Sequence, residues 1–253
     1  MRAMLAPERR KIILEKLQAD KKVIVSQLSI FFGVSDETIR RDIDQLCQEG
    51  LAVKCYGGAT INENGPEMPF NIRKLANPTE KQKIATIIAD LIDDGENIIL
   101  DASTTAVFVA KKLKQKKRLT IVTNSIDVML ELSDMDDFTV ICTGGRMMGS
   151  NLAFVGQRVI SALSSFYADK LIFSCKAIQD GIYDSNDDSA EVKRHMCKSA
   201  KTKILAADTS KFDKTAFAKI SDISGLDMIV TNTCPGEQWL SVFNNVGVKC
   251  IYE

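Results

Sequence analysis

Hydroxyls, amides and lysines placed where a strand gives way to a helix can hold an anion. The first N–H groups of a helix have no internal acceptor and point outward. Four strand ends carry groups of this kind: Asp101-Ala102-Ser103-Thr104-Thr105 and Thr123-Asn124-Ser125, each opening a helix, and Thr143-Gly144-Gly145-Arg146 and Asp208-Thr209-Ser210-Lys211-Phe212. Any one of them reads as an ordinary helix cap. Four of them, each after a short apolar run, read as a site for a phosphorylated small molecule. A second chemistry lies nearer the amino terminus. There Arg41 points away from the apolar stripe Ile39, Ile43, Leu46, with Thr38 and Arg40 on its flanks. Guanidinium groups on such a face can grip backbone phosphates or pair bidentately with guanine.

The elements that carry these residues follow from periodicity. Glu8–Asp20 is an amphipathic helix with Ile12, Ile13 and Leu17 inward and Arg9, Arg10 and Lys11 beside them. Val25–Gly33 is a shorter helix ending at a glycine, and Ser35 caps the next helix, whose Asp36 and Glu37 suit the positive end of its dipole. This is the helix-turn-helix pattern, whose second helix enters the DNA major groove. Leu51–Cys55 reads as a strand, Gly57-Gly58 as a hairpin turn, and Ala59-Thr60-Ile61 as the return. That hairpin is a wing, with Lys54, Tyr56, Gly57, Gly58 and Ala59 expected against the phosphate backbone. Asn62–Pro69 is polar and holds Gly65, Pro66 and Pro69, as a linker would. A helix then starts at Pro78, and strands are expected at 97–101, 119–124, 138–143, 171–175, 203–207, 228–231 and 248–251. Helices between β-branched strands predict a parallel α/β sheet, whose ligands bind at the carboxyl ends of the strands. The division is therefore 1–61 winged helix-turn-helix, 62–77 linker and 78–253 α/β domain.

Composition bounds the partners. Lysines and arginines equal aspartates and glutamates over the whole chain, 33 of each. Residues 1–60 hold 10 basic against 8 acidic side chains, so firm operator binding calls for a dimer or larger oligomer. Seven cysteines stand singly, without a C-x-x-C pair, and the chain has one histidine, so a zinc site is not expected. The thiols read as reduced, as in a cytosolic protein. No apolar run is long enough to span a membrane, and no signal peptide is evident.

TIRRD in the capped helix, followed by GL-x-V-x-x-x-GGA in the wing, resembles the N-terminal domain of DeoR-type (DeoR/GlpR family) bacterial transcription regulators. DASTT, TNS, the GG pair, the segment from Asp169 to Lys193 and DTSKF resemble the C-terminal sensor domain of the same family. The resemblance implies an α+β two-domain protein, with a sensor domain similar in fold to ribose-5-phosphate isomerase and glucosamine-6-phosphate deaminase. It further implies a cytoplasmic repressor of a sugar-utilisation operon, bound to double-stranded operator DNA as a homodimer or homotetramer and released by a phosphorylated sugar. No cofactor or metal is implied. Ser35, Thr38, Arg40 and Arg41 would face DNA, supported by Lys54 to Ala59. Ser103, Thr104 and Thr105 would hold the phosphate with Lys211 as counter-charge. Asp101, Asn124, Gly144, Gly145 and Glu191 would take the sugar hydroxyls. Ser103 stands where many members carry glycine.

Other residues are set aside. His195 reads as a surface or packing residue, Trp239 as the anchor of the last helix, and the run from Lys111 to Arg118 as a basic helix end. The charges around Glu191, Lys193 and Arg194 read as solvent-facing. The alternative function is a sugar-phosphate isomerase or deaminase fused to a DNA-binding domain. Asp101, Asp180, Glu191 or Lys211 would then have to act as acid or base, and no pair with a shared spacing stands out.

Overall fold

The structure is a computed structural model that describes residues 4–62 and 68–253. It divides into two compact units, Met1–Pro78 and Thr79–Glu253.

The first unit runs α1 (Ala6–Asp20), β1 (Lys22–Ile24), α2 (Val25–Phe32), α3 (Asp36–Gln48), β2 (Ala52–Cys55), β3 (Gly58–Ile61) and α4 (Phe70–Leu75). Gly33, at φ 63°, closes α2 in the left-handed conformation that suits glycine, and the Ser35 hydroxyl accepts from Thr38 N to start α3. Ile13, Leu17, Val25, Leu28, Ile39, Ile43 and Leu46 form the core between the three helices. One ion pair is buried with them. Asp42, on the inward side of α3, accepts from Arg9 Nε at 2.5 Å and lies 3.7 Å from Arg10. Arg9 is therefore a tie between α1 and α3 and is not available to a phosphate.

Two features depart from expectation. The wing is three-stranded, in the order β1-β3-β2, because Lys22–Ile24 pairs antiparallel with β3. The interval 62–77 is also more than a connector. Met68 and Ile72 join the core of the first unit, and α4 packs on α1. Gly65 and Pro66 lie outside the described residues.

The second unit begins with α5 (Pro78–Asp90), β4 (Asn97–Leu100), α6 (Thr104–Leu113), β5 (Thr120–Thr123), α7 (Ile126–Glu131) and β6 (Thr139–Cys142). A hairpin of β7 (Arg146–Met148) and β8 (Ala153–Val155) leads through α8 (Gln157–Leu163) to β9 (Ala168–Phe173). Next come β10 (Ala177–Ile178), β11 (Ile182–Asp184), α9 (Asp187–Lys198), β12 (Ala200–Ala206) and β13 (Ala218–Ser221). The unit closes with β14 (Met228–Val230), α10 (Glu237–Asn245) and β15 (Lys249–Ile251).

All seven expected strands form one parallel sheet, ordered β15-β14-β12-β9-β4-β5-β6. Runs such as Ile98-Ile99-Leu100 are fully buried, as strands covered on both faces must be. The chain lays β4, β5 and β6 outward in one direction, then returns to set β9 on the other side of β4. The sheet's order thus reverses between β4 and β9, and in such sheets the crevice for a ligand opens there. Register sharpens the point: Leu100 pairs with both Ile172 and Thr123, and Thr123 with Cys142. Asp101, Asn124 and Thr143 therefore leave the sheet at one level. Trp239 and Phe243 of α10 pack with Phe212 in an aromatic trio.

Removing one member of the buried Arg9–Asp42 pair strands the other in the core. Asp42→Ala should lower the stability of the first unit by about 3–5 kcal/mol. Calorimetry should show its transition fall while that of the second unit stays in place.

Candidate functional site

On α3 the buried residues Ile39, Asp42, Ile43 and Leu46 turn the opposite face outward. Ser35 and Thr38 are occupied with each other, hydroxyl to hydroxyl at 3.0 Å, so their first task is the cap. Arg41 donates from Nε to Glu37 at 3.2 Å, one turn back. Arg40 is exposed and makes no ion pair among the described residues. In the wing, Lys54 meets Asp44 at 2.7 Å, and that carboxylate holds the ammonium above the usual lysine range. Tyr56 stands fully exposed at the tip beside Gly57, whose φ of 75° makes the turn.

Gly58 is a correction to the sequence reading. It was expected against DNA, but both it and Ala59 are buried beneath β1. A Cβ on Gly58 would lie 1.8 Å from the Val23 carbonyl oxygen. The glycine is required by the close approach of a neighbouring strand, and the exposed tip is Tyr56-Gly57 alone.

At the carboxyl edge of the large sheet the chemistry centres on Asp101, which is almost wholly buried. Its Oδ1 accepts from Ser103 N at 3.2 Å and Ser103 Oγ at 2.6 Å. Its Oδ2 accepts from Ser174 N at 3.1 Å and pairs with Lys193 Nζ at 3.2 Å. A carboxylate has about four lone-pair sites, and these four donors fill them. Asp101 therefore cannot also accept from a sugar hydroxyl in this arrangement; it fixes the loop that others use.

Lys193 is the partner that the sequence reading missed. It is buried, donates to the Ser174 carbonyl at 2.7 Å and pairs with Asp184 at 2.5 Å. Burial alone would depress its pKa, but the Asp184 and Asp101 carboxylates outweigh burial and hold it above the lysine range. The expectation of a solvated charge fails here because Lys193 sits three residues from each of the buried Ala190 and Met196. Glu191, on the same helix, is half-buried, and its carbonyl holds the His195 ring.

Around this tie lie groups with capacity to spare. The Ser103 hydroxyl caps α6 by accepting from Ala106 N at 3.0 Å. Thr104 and Thr105 are buried and have no side-chain hydrogen bond among the described residues. Asn124 donates from Nδ2 to the Phe154 carbonyl at 2.8 Å, which fixes the orientation of its amide. Its Oδ1 is then left buried without a partner among the described residues. Gly144 and Gly145 both adopt positive φ, and a Cβ on Gly145 would strike Val159 at 2.7 Å. Arg146 is engaged, at 2.6 Å from Asp188.

On the neighbouring strand end, Asp208 is buried. Burial pushes its pKa up, but Lys211, the Ser210 hydroxyl and N–H and Lys81 together hold it below the ordinary 3.8. Lys211 is half-buried and makes no ion pair within contact distance among the described residues. Lys81, a buried lysine in the apolar stripe of α5, escaped the sequence reading as well. Burial pushes the nearby Cys175 thiol up to about 12, so it is no nucleophile.

The DeoR-like helix-turn-helix domain profile matches residues 9–65, and the DeoR C terminal sensor domain profile matches residues 76–233. The chain belongs to the DeoR family. It is a DNA-binding transcriptional regulator. A relative in Bacillus subtilis (strain 168), an uncharacterized HTH-type transcriptional regulator YulB, is 36% identical over 91% of this chain and 90% of its own. The glycerol-3-phosphate regulon repressor of Escherichia coli (strain K12) is 29% identical over 92% of this chain and 93% of its own. Ribose 5-phosphate isomerase A from Methanocaldococcus jannaschii superposes on 54% of this chain and 55% of its own, with 13% identity and a TM-score of 0.40.

In this DeoR-family chain the structure brings Asp101, Ser103, Thr104, Thr105, Asn124, Gly144, Gly145 and Lys211 to the same edge of one sheet. It adds Asp184, Lys193 and Lys81 to them. Among the described residues, no group of three or more His, Cys, Asp or Glu side chains is placed for a metal ion. No helix among them is long and apolar enough to cross a membrane.

Two measurements test this geometry. Lys193→Met leaves Asp101 and Asp184 buried without their cation and should cost about 3–5 kcal/mol in urea unfolding. Asp208 is the opposite case, a carboxyl whose folded pKa is depressed. Its stabilisation is present above the unfolded value of 3.8 and is lost as pH falls through the folded one. Lys211→Met should therefore be less stable than the parent at pH 7, with the gap closing in acid below that value.

Proposed function

We propose that this protein represses a carbohydrate-utilisation operon and releases its operator when a phosphorylated sugar occupies the carboxyl edge of the sheet. The carrying observation is the set of unsatisfied groups gathered at the strand ends. Lys211 is a cation without a contact partner, and Thr104 and Thr105 offer hydroxyls at the start of α6. A phosphate suits that combination. The buried, unpartnered Oδ1 of Asn124 asks for a donor, and a sugar hydroxyl is one. The repressor of a glycerol-3-phosphate regulon among the relatives supports both the sign of regulation and the ligand class.

Ser35, Thr38, Arg40, Arg41, Lys54, Tyr56 and Gly57 form the proposed DNA surface, used twice or more in a homodimer or homotetramer on one operator. The reading as a regulator without catalysis is supported by the state of the central charges. Asp101 and Lys193 are taken up by each other and by Asp184, so Asp101, at the centre of the strand ends, is not free to act as acid or base on an enediol.

An effector can release DNA only through different affinities for two states of the protein. Fluorescence anisotropy on DNA from upstream of the protein's own gene, at fixed salt, should show release by one phosphorylated sugar and not by its unphosphorylated form. Arg41→Ala should lose the operator and still bind the effector. Lys211→Ala should bind the operator and no longer respond. Loss of both functions in both variants would overturn this division of labour, and turnover of the sugar phosphate would favour the enzyme.

A further inference from the structure

We infer that Glu37 and Arg41 act as one unit that reads a C·G base pair in the major groove. The inference rests on the reading that the outer face of α3 meets DNA.

Opposite the buried side of α3, the outermost row is Glu37, Arg41, Asp44 and Gln48, at spacings of four, three and four. Asp44 is already matched by Lys54 of the wing, at 2.7 Å. Asp42 is buried with Arg9. Glu37 is thus the acidic side chain of the row not taken up by the wing or the core, with its side chain 67% exposed, in the first turn of the helix. The amino-terminal residues of a recognition helix are the ones that reach base edges.

A carboxylate there lies among DNA phosphates and is repelled by them. Holding Arg41 is a weak reason to keep it, since an exposed pair one turn apart is worth less than thermal energy. A base edge supplies a better reason. A carboxylate only accepts, and in the major groove the base-edge donors are the amino groups of cytosine and adenine. Arg41 uses Nε on Glu37, which leaves the N–H donors of both its Nη groups free. Those donors suit the N7 and O6 acceptors of guanine. A C·G pair presents the cytosine amino donor beside the two guanine acceptors, the complement of a carboxylate acceptor beside two guanidinium donors. An A·T pair offers no O6 and N7 together.

The test is selection of the full-length protein on a pool of random duplexes at fixed salt, followed by sequencing. Wild-type protein should enrich a motif with an invariant C·G pair in each half-site. Glu37→Ala should keep the rest of the motif and lose the preference at that pair by at least about tenfold. Glu37→Gln should move it towards A·T, because an amide pairs bidentately with adenine. Glu37 is exposed, so both variants should retain the parent's circular dichroism and melting. The same motif from wild type and both variants would overturn the assignment. If wild type enriched no motif at all, the reading of the α3 face would fall, and the result would be distinct because no position would carry a preference in any variant.

Discussion

An ammonium out of contact with water persists only where carboxylates replace the hydration it has lost, and Lys193 meets that condition where the order of the sheet reverses. Its charge is shared between Asp101 at the end of β4 and Asp184 at the end of β11, and its third contact is the Ser174 carbonyl just beyond β9. Three separate segments and α9 are thereby joined at one nitrogen. Asp101 passes the constraint on, since the oxygen that does not meet Lys193 holds both the N–H and the hydroxyl of Ser103. The start of α6, with Thr104 and Thr105, is fixed at two removes by a lysine on another helix. Buried ion pairs of this kind add little net stability over apolar packing, yet losing one partner is costly, so they hold a geometry more than they raise a melting point.

The first unit uses the same device at smaller scale. Arg9 and Asp42 lock α1 to α3 from the inside, so the outer row of α3 has no part in that tie. The TIRRD run thus divides by direction. Its two arginines point outward, while its isoleucine and aspartate face the core. The DNA surface is a rigid helix face backed by a fixed charge pair, a suitable base for side chains that must meet base edges within a fraction of an ångström.

Much of this was legible because burial leaves a pattern. Runs such as Ile98-Ile99-Leu100 announced strands covered on both faces, and the polar residues directly after them fall at the carboxyl edge by chain order alone. Ser35 announced its helix by its hydroxyl and by the acids that follow. What stayed hidden depended on partners distant in sequence. Nothing local says that Lys193 meets Asp101, or that Gly58 is pressed by Val23 of a strand only three residues long. A signal was present for the lysines: Lys81 falls in the stripe of Ile84 and Ile88, and Lys193 in that of Ala190 and Met196. A charge that interrupts an apolar stripe is a candidate for a buried partner. The saturation of Asp101 had no such signal, because it depends on four donors arriving together.

The aromatic trio has a consequence of another kind. Trp239 is the chain's one tryptophan, and its ring lies 5.2 Å from that of Phe212, the residue directly after Lys211. Its indole N–H donates to Asp213, one residue further along. Indole emission depends on the polarity and hydrogen bonding around the ring, so the colour and intensity of this protein's fluorescence report on the loop that carries Lys211. The sensor unit carries an optical gauge of its own, at a position where no dye need be attached.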